Sequence, residues 1–132
     1  MDNTPCPFCD PSMETESCGS NELVLSRLDK YPVSEGHTLI VPRVHEPDFL
    51  KLDAETQAAM MAMAVEIANM RLKEPGVTGC NIGLNIGHSA GQTVDHAHLH
   101  VIPRRDGDVD DPRGGVRWVV PGNADYWSGG DG

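Results

Sequence analysis

Three histidines occupy alternate positions of one short run, His96-Ala97-His98-Leu99-His100, in a 132-residue chain that has only six histidines. Leu99, Val101 and Ile102 give the run strand character, and Pro103 closes it. Residues two apart on a strand share a face. The spacing therefore predicts a row of imidazoles backed by an apolar row of Ala97, Leu99 and Val101. A solvated face would carry Lys, Glu or Thr at less cost. Three imidazoles point instead to metal ligation, catalysis, or both.

Cys6-Pro7-Phe8-Cys9 is the second chemical feature. A C-x-x-C is a redox pair or half of a zinc site; the alternative is two free thiols. A thioredoxin-like pair opens a helix after a strand, whereas this one sits in a Pro-rich loop. A tetrahedron needs two more ligands. His45 and His96, the triad member nearest the loops, are the natural choices. Cys6, Cys9, His45 and His96 would form a closed Cys2His2 set, structural rather than catalytic. Cys80 reads as a core thiol, and Cys18 has no assigned role. His98 and His100 are left for chemistry. There is no serine nucleophile elbow and no Walker glycine loop. An imidazole can itself be the nucleophile, and attack at phosphorus suits it. Gln92, Thr93 and the backbone N–H groups of the loop before the histidines can bind a phosphate. Asn85 faces away from the apolar side of the preceding strand and can reach the same place.

The elements that must position these residues can be read along the chain. Residues 1–22 are rich in Pro, Ser and Cys and read as loop. Leu23–Leu28 and Thr38–Val41 read as an antiparallel hairpin across the turn Pro32-Val33-Ser34-Glu35-Gly36. Asp53 reads as the N-cap of the long helix. Met60, Met63, Ile67 and Met70 recur along it at helical spacing and form its expected core-facing stripe; Glu74-Pro75-Gly76 stops it. Cys80–Ile86 alternates as a half-buried strand and is close enough to the histidine run for a second hairpin. Residues 105–115 read as loop, Arg117–Val120 as a short final strand, and Ser128–Gly132 as a flexible tail. The sum is an α+β fold: an antiparallel sheet of about five strands with one long helix on its face.

Bulk properties bound the function. The length suits one domain spanning 1–132, and 39% hydrophobic with 23% charged residues reads as soluble and globular. A net charge of −10 with only ten Lys and Arg argues against a nucleic-acid or anionic-membrane partner. The N-terminus lacks the pattern of a signal peptide, and no apolar run has the length of a membrane span. The expectation is a cytoplasmic protein with cysteines that are reduced or metal-bound.

The run His96-Ala97-His98-Leu99-His100-Val101-Ile102 resembles the motif of the histidine triad (HIT) family. Gly91-Gln92-Thr93-Val94, Asn85, Pro32-Val33 and Gly36-His37-Thr38-Leu39-Ile40-Val41-Pro42 also resemble that family. The likeness covers about residues 20–104, and the cysteines extend it to Cys6. It implies a HIT-like fold and a nucleotide hydrolase with His98 as nucleophile. His98 would attack an α-phosphate, and water would release a nucleoside monophosphate. It implies catalytic roles for His100 and Gln92 beside His98, contacts to the phosphate or bridging oxygen from Gln92 and Thr93, a phosphate contact from His100, a place near the phosphates for Asn85, and a ribose contact from Asp29. It also implies zinc on Cys6, Cys9, His45 and His96, and a homodimer. The uridylyltransferase branch of the family carries Gln at the third position, so His100 favours the hydrolase branches. The stretch Arg113–Pro121 resembles bacterial members loosely described as diadenosine tetraphosphate hydrolases. Dinucleoside polyphosphates and nucleoside phosphoramidates are the competing substrates. Arg104 and Arg105 admit two readings, a contact to a distal phosphate or a solvated loop. His37 reads as a structural turn residue and His88 as exposed loop. Three alternatives stay open: a metallohydrolase whose triad chelates one catalytic metal, a nucleotidyl transferase or phosphorylase, and a non-catalytic nucleotide-binding zinc module.

Overall fold

The computed structural model describes residues 6–15 and 17–129. A short helix α1 (Ser12–Thr15) and strand β1 (Ser17–Ser20) lead into β2 (Val24–Leu28) and β3 (Thr38–Pro42). The long helix α2 (Ala54–Leu72) is followed by β4 (Gly79–Leu84) and β5 (Leu99–Arg104). The five strands form one antiparallel sheet in the order β1-β2-β3-β5-β4. Both expected hairpins are present, and β3 joins them by pairing with β5.

Helix α2 starts where its cap chemistry dictates. The Asp53 carboxylate accepts the Thr56 N–H at 2.8 Å, satisfying an orphan donor of the first turn. Met60, Met63, Ala64, Ile67 and Ala68 turn inward against Val24, Ile40, Ala97, Leu99 and Val101 to make the main core. Met70, expected in that stripe, is exposed. In the last turn the inward place belongs to Arg71, whose Nη2 donates to Thr38 Oγ1 at 3.0 Å. Asp53→Ala should cost about 1 kcal/mol of stability, read from the urea midpoint at constant slope.

Three expectations need correction. The segment 1–22 is not all loop, since α1 and β1 lie within it. Ser17-Cys18-Gly19-Ser20 has no strand-favouring pattern, and its pairing with β2 makes it a strand, through a bulge between Ser17 and Gly19. Residues 117–120 form no strand; Gly115–Val119 is a 3-10 turn. Gly114 and Gly115 enter it with positive φ, and Arg117 closes it by donating to the carbonyls of Ala124 and Asn123. Finally, β5 begins at Leu99, so only His100 of the triad lies within a strand. Of the expected tail, Ser128 is held by the Asp125 carboxylate, and 130–132 lie outside the described residues.

The helix covers one face of the sheet, and the other face carries the polar chemistry. The register opposes Leu25 to Val41, Arg27 to Leu39, and Leu39 to His100. These residues share one face with His37, two positions before Leu39. Phe8, Met13, Leu25 and Val41 form a small second cluster beside them.

Candidate active site and metal centre

His98 lies just ahead of β5, buried, with its Nδ1 2.8 Å from the carbonyl oxygen of His96. A carbonyl only accepts, so Nδ1 carries the proton and Nε2 keeps its lone pair. His98 lines a cavity of about 250 Å³ with Pro7, Phe8, Arg27, Asp29, Leu39, Thr93 and His100. Asp29, Thr93, His98 and His100 of the expected nucleotide set therefore meet at one place.

His100 is held by a chain of bonds that the sequence reading did not foresee. The Val33 N–H donates to His37 Nδ1 at 3.1 Å. His37 must then carry its proton on Nε2, which lies 2.9 Å from His100 Nδ1 and 3.4 Å from an Asp29 carboxylate oxygen. His100 Nδ1 accepts, which leaves the His100 proton on Nε2. Burial, with His98 and His37 alongside, lowers the His100 pKa from 6.5 to about 4. Neutral His100 is thus a hydrogen-bond donor with a fixed tautomer. His37 is the turn residue it was read as, bonded to Val33 and Ser34 within the turn, and it also positions His100. Its signal was available: with β3 paired to β5, alternation places residues 37, 39 and 41 on the His100 face.

The lowered pKa has a consequence for stability. The unfolded chain protonates His100 near 6.5, whereas the folded chain resists until about 4. The contribution is present above pH 6.5 and is lost as pH falls toward 4. Wild type should lose urea resistance between pH 6.5 and 4 more steeply than His100→Asn, the comparison cancelling losses common to both proteins.

The other two expected phosphate contacts, Gln92 and Asn85, do not line that cavity. Gln92 is buried and engaged: its amide donates to the carbonyls of Pro47 and Val94 at 2.7 and 3.0 Å. Its oxygen accepts the Gly87 N–H at 3.0 Å. It is a strut of the loop before the triad and does not line the cavity around His98. Asn85 lies beyond His100, in a second cavity of about 910 Å³ that also includes Asn81, Ile82, Arg104 and Trp118. Arg104 is committed there, donating to both carboxylate oxygens of Asp108 and to Asn81 Oδ1. His100 lines both cavities. His88 is exposed, as expected, with a 3.7 Å surface pairing to Asp95.

The other end of the triad belongs to a separate cluster. Cys6 Sγ is 3.4 Å and Cys9 Sγ 3.5 Å from His96 Nδ1, while His45 Nδ1 is 3.2 Å from both Cys9 Sγ and His96 Nδ1. Zinc bonds of ordinary length to two sulfurs and two nitrogens imply tetrahedral S–N and N–N edges of about 3.3–3.6 Å. His96 Nε2 meets the Pro42 carbonyl at 2.8 Å, which places its proton there and turns the Nδ1 lone pair toward the other three donors. The donor set fits a tetrahedral zinc and leaves no open position. Among the described residues, no ligand group unites His96, His98 and His100. The metallohydrolase alternative therefore has no geometric support.

The sequence matches the HIT domain over residues 11–107, and the chain belongs to that family. It is 39% identical over 105 residues to an uncharacterized HIT-like protein of Mycoplasma genitalium, covering 75% of this chain and 72% of that one. It is 34% identical over 106 residues to the adenylylsulfatase HINT3 of Arabidopsis thaliana, covering 78% of this chain and 54% of that protein. Its fold resembles that of a zinc-bound histidine triad family protein from Mycobacterium smegmatis. The TM-score is 0.72 at 38% identity, with 78% and 77% of the two chains covered.

Proposed function

We propose that this chain is a nucleotide hydrolase that cleaves at an α-phosphate through a nucleotidyl-His98 intermediate. The observation that carries this reading is the bond from His98 Nδ1 to the His96 carbonyl, which frees the Nε2 lone pair of a residue that lines a cavity with Asp29, Thr93 and His100. The nucleoside occupies that cavity, with Asp29 on the ribose. His98 Nε2 forms a bond to phosphorus as the bond to the leaving group breaks, and the leaving group departs toward the second cavity. His100 Nε2–H donates to a phosphate oxygen and steadies the charge that gathers there. Water then breaks the phosphorus–nitrogen bond and frees a nucleoside monophosphate and His98. The similarity to HINT3, an adenylylsulfatase, supports nucleotide hydrolysis in general. The substrate is a purine dinucleoside polyphosphate or a nucleoside phosphoramidate.

Cys6, Cys9, His45 and His96 would hold a structural zinc, which cross-links the N-terminal segment to the sheet. The protein acts as a one-domain homodimer in the cytoplasm, without a nucleic-acid or membrane partner. The outer edge of β4 has no strand partner among the described residues, and Met61, Val65 and Leu72 form an exposed stripe on α2. Both features suit a second copy.

The test is release of adenosine monophosphate from diadenosine tetraphosphate and from an adenosine phosphoramidate, with and without chelator. Turnover that outlasts chelation at first supports nucleophilic catalysis beside a structural zinc. Instant loss would point to a catalytic metal. No turnover of either substrate would overturn the hydrolase reading.

His37→Phe tests the tautomer relay. The ring volume is kept, but the N–H to His100 is lost. The expected outcome is a kcat lower by about 10–100-fold with KM within about threefold. Nitrogen NMR of His100 should report a mixed tautomer in the variant and one tautomer in wild type.

A further inference from the structure

The Cys6–Cys9 loop serves two sites at once. Its cysteines face His45 and His96, while Pro7 and Phe8 between them line the cavity that holds His98. The Phe8 ring stands edge-on to His96 at 5.8 Å and to His98 at 5.0 Å. His96 forms a second link: its ring nitrogen belongs to the metal set, and its backbone carbonyl fixes the His98 tautomer. Among the described residues, the loop's own backbone supplies one bond, Cys9 N–H to the Cys6 carbonyl at 3.2 Å, and Cys9 is exposed. Phe8 is only half-buried, against Met13, Leu25 and Val41.

We propose that metal and nucleotide binding are coupled in this protein, with Phe8 as the coupling residue. Ligation of Cys6 and Cys9 fixes Phe8 as a wall of the nucleoside cavity and as a packing neighbour of His98. Release of the two thiolates frees that wall. Phe8 is a positioning residue whose own place depends on ligands one and two positions away. The inference rests on the cavity being the nucleotide site. Coupling of this kind is reciprocal: whatever factor the metal adds to nucleotide affinity, the nucleotide adds to metal affinity.

Calorimetry with adenosine monophosphate and with zinc tests this without any turnover. The zinc-loaded chain should bind the nucleotide roughly tenfold more tightly than the metal-free chain, within the usual range of site–site coupling. Zinc affinity should rise by the same factor when the nucleotide is present. Phe8→Ala keeps all four ligands; it should bind zinc normally, bind nucleotide roughly tenfold more weakly, and lose the dependence on metal. Nucleotide affinity that ignores zinc in wild type overturns the coupling and leaves the nucleotide site standing. No nucleotide binding to the loaded wild type overturns the nucleotide reading and the coupling together. Should the metal-free chain lose its fold, the loaded Phe8→Ala variant decides. An affinity equal to wild type overturns the proposal, and a tenfold loss sustains it.

Discussion

His98→Asn should leave a folded, zinc-binding protein that still binds adenosine monophosphate within about threefold of wild type, but whose turnover falls by at least ~10⁴-fold. The size follows from what is removed. In a covalent mechanism the nucleophile is not one contributor among several; without it the two-step path is closed, and losses near a millionfold are known for such residues. The fold should survive because asparagine replaces what the neighbours use. Its amide N–H can reach the His96 carbonyl, which now accepts from His98 Nδ1 at 2.8 Å. What asparagine lacks is a nucleophilic lone pair on nitrogen. Nucleotide affinity should hold because Asp29, Thr93, Phe8 and His100 still line the cavity. His100→Asn should behave differently, with a loss of about 10²–10³, the scale of one charge-stabilising donor. Monophosphate release followed by chromatography, with calorimetry for binding, separates the two variants. A His98→Asn protein that turned over within tenfold of wild type would end the nucleophile assignment.

Legibility in the sequence followed the range of the forces involved. Helix α2 was readable because its signals are local: the Asp53 cap, the inward recurrence of Met60, Met63 and Ile67, and the stop at Gly76. The two hairpins were readable because each joins strand-like runs adjacent in the sequence and bracketed by turn residues. Strand β1 was not, since Ser17–Ser20 owes its conformation to pairing with β2, a tertiary cause that composition does not carry. The four ligands of the metal cluster were nameable by type and count, although 87 residues separate Cys9 from His96. The bonds of Gln92 were not legible for the opposite reason. Its residue type suits a phosphate, but its amide is consumed by the carbonyls of Pro47 and Val94. The link from His37 to His100 and the place of Phe8 escaped because they exist only across elements. His37 acquires its task when β3 pairs with β5, and Phe8 when the cysteine loop folds against the triad.

Cys9→Ser carries the second large effect, on stability rather than chemistry. The thiol stands 3.2 Å from His45 and 3.5 Å from His96, across 36 and 87 residues of chain. A zinc there acts as a cross-link between the N-terminal segment, the end of β3 and the entry to β5. Its value is bounded from two sides. Zinc-finger peptides gain about 10–16 kcal/mol because they have no other core. This chain has one, in the packing of α2 on the sheet, so the metal is not asked to supply the whole fold. Covalent links closing loops of such lengths contribute about 3–5 kcal/mol through the unfolded state. On that scale Cys9→Ser should lower the melting temperature by roughly 10–20 °C. The loss should begin locally. With the clamp gone, β1 keeps only its irregular pairing to β2, so its amides should exchange before those of β3 and β5. Cys80→Ser gives the contrast, because Cys80 packs at the edge of the core and belongs to no ligand group among the described residues. It should retain full zinc and melt within a few degrees of wild type. Should Cys9→Ser keep one zinc per chain and melt with wild type, the four residues would be neighbours by packing alone. The N-terminal segment would then be held by Phe8 and Met13 rather than by metal.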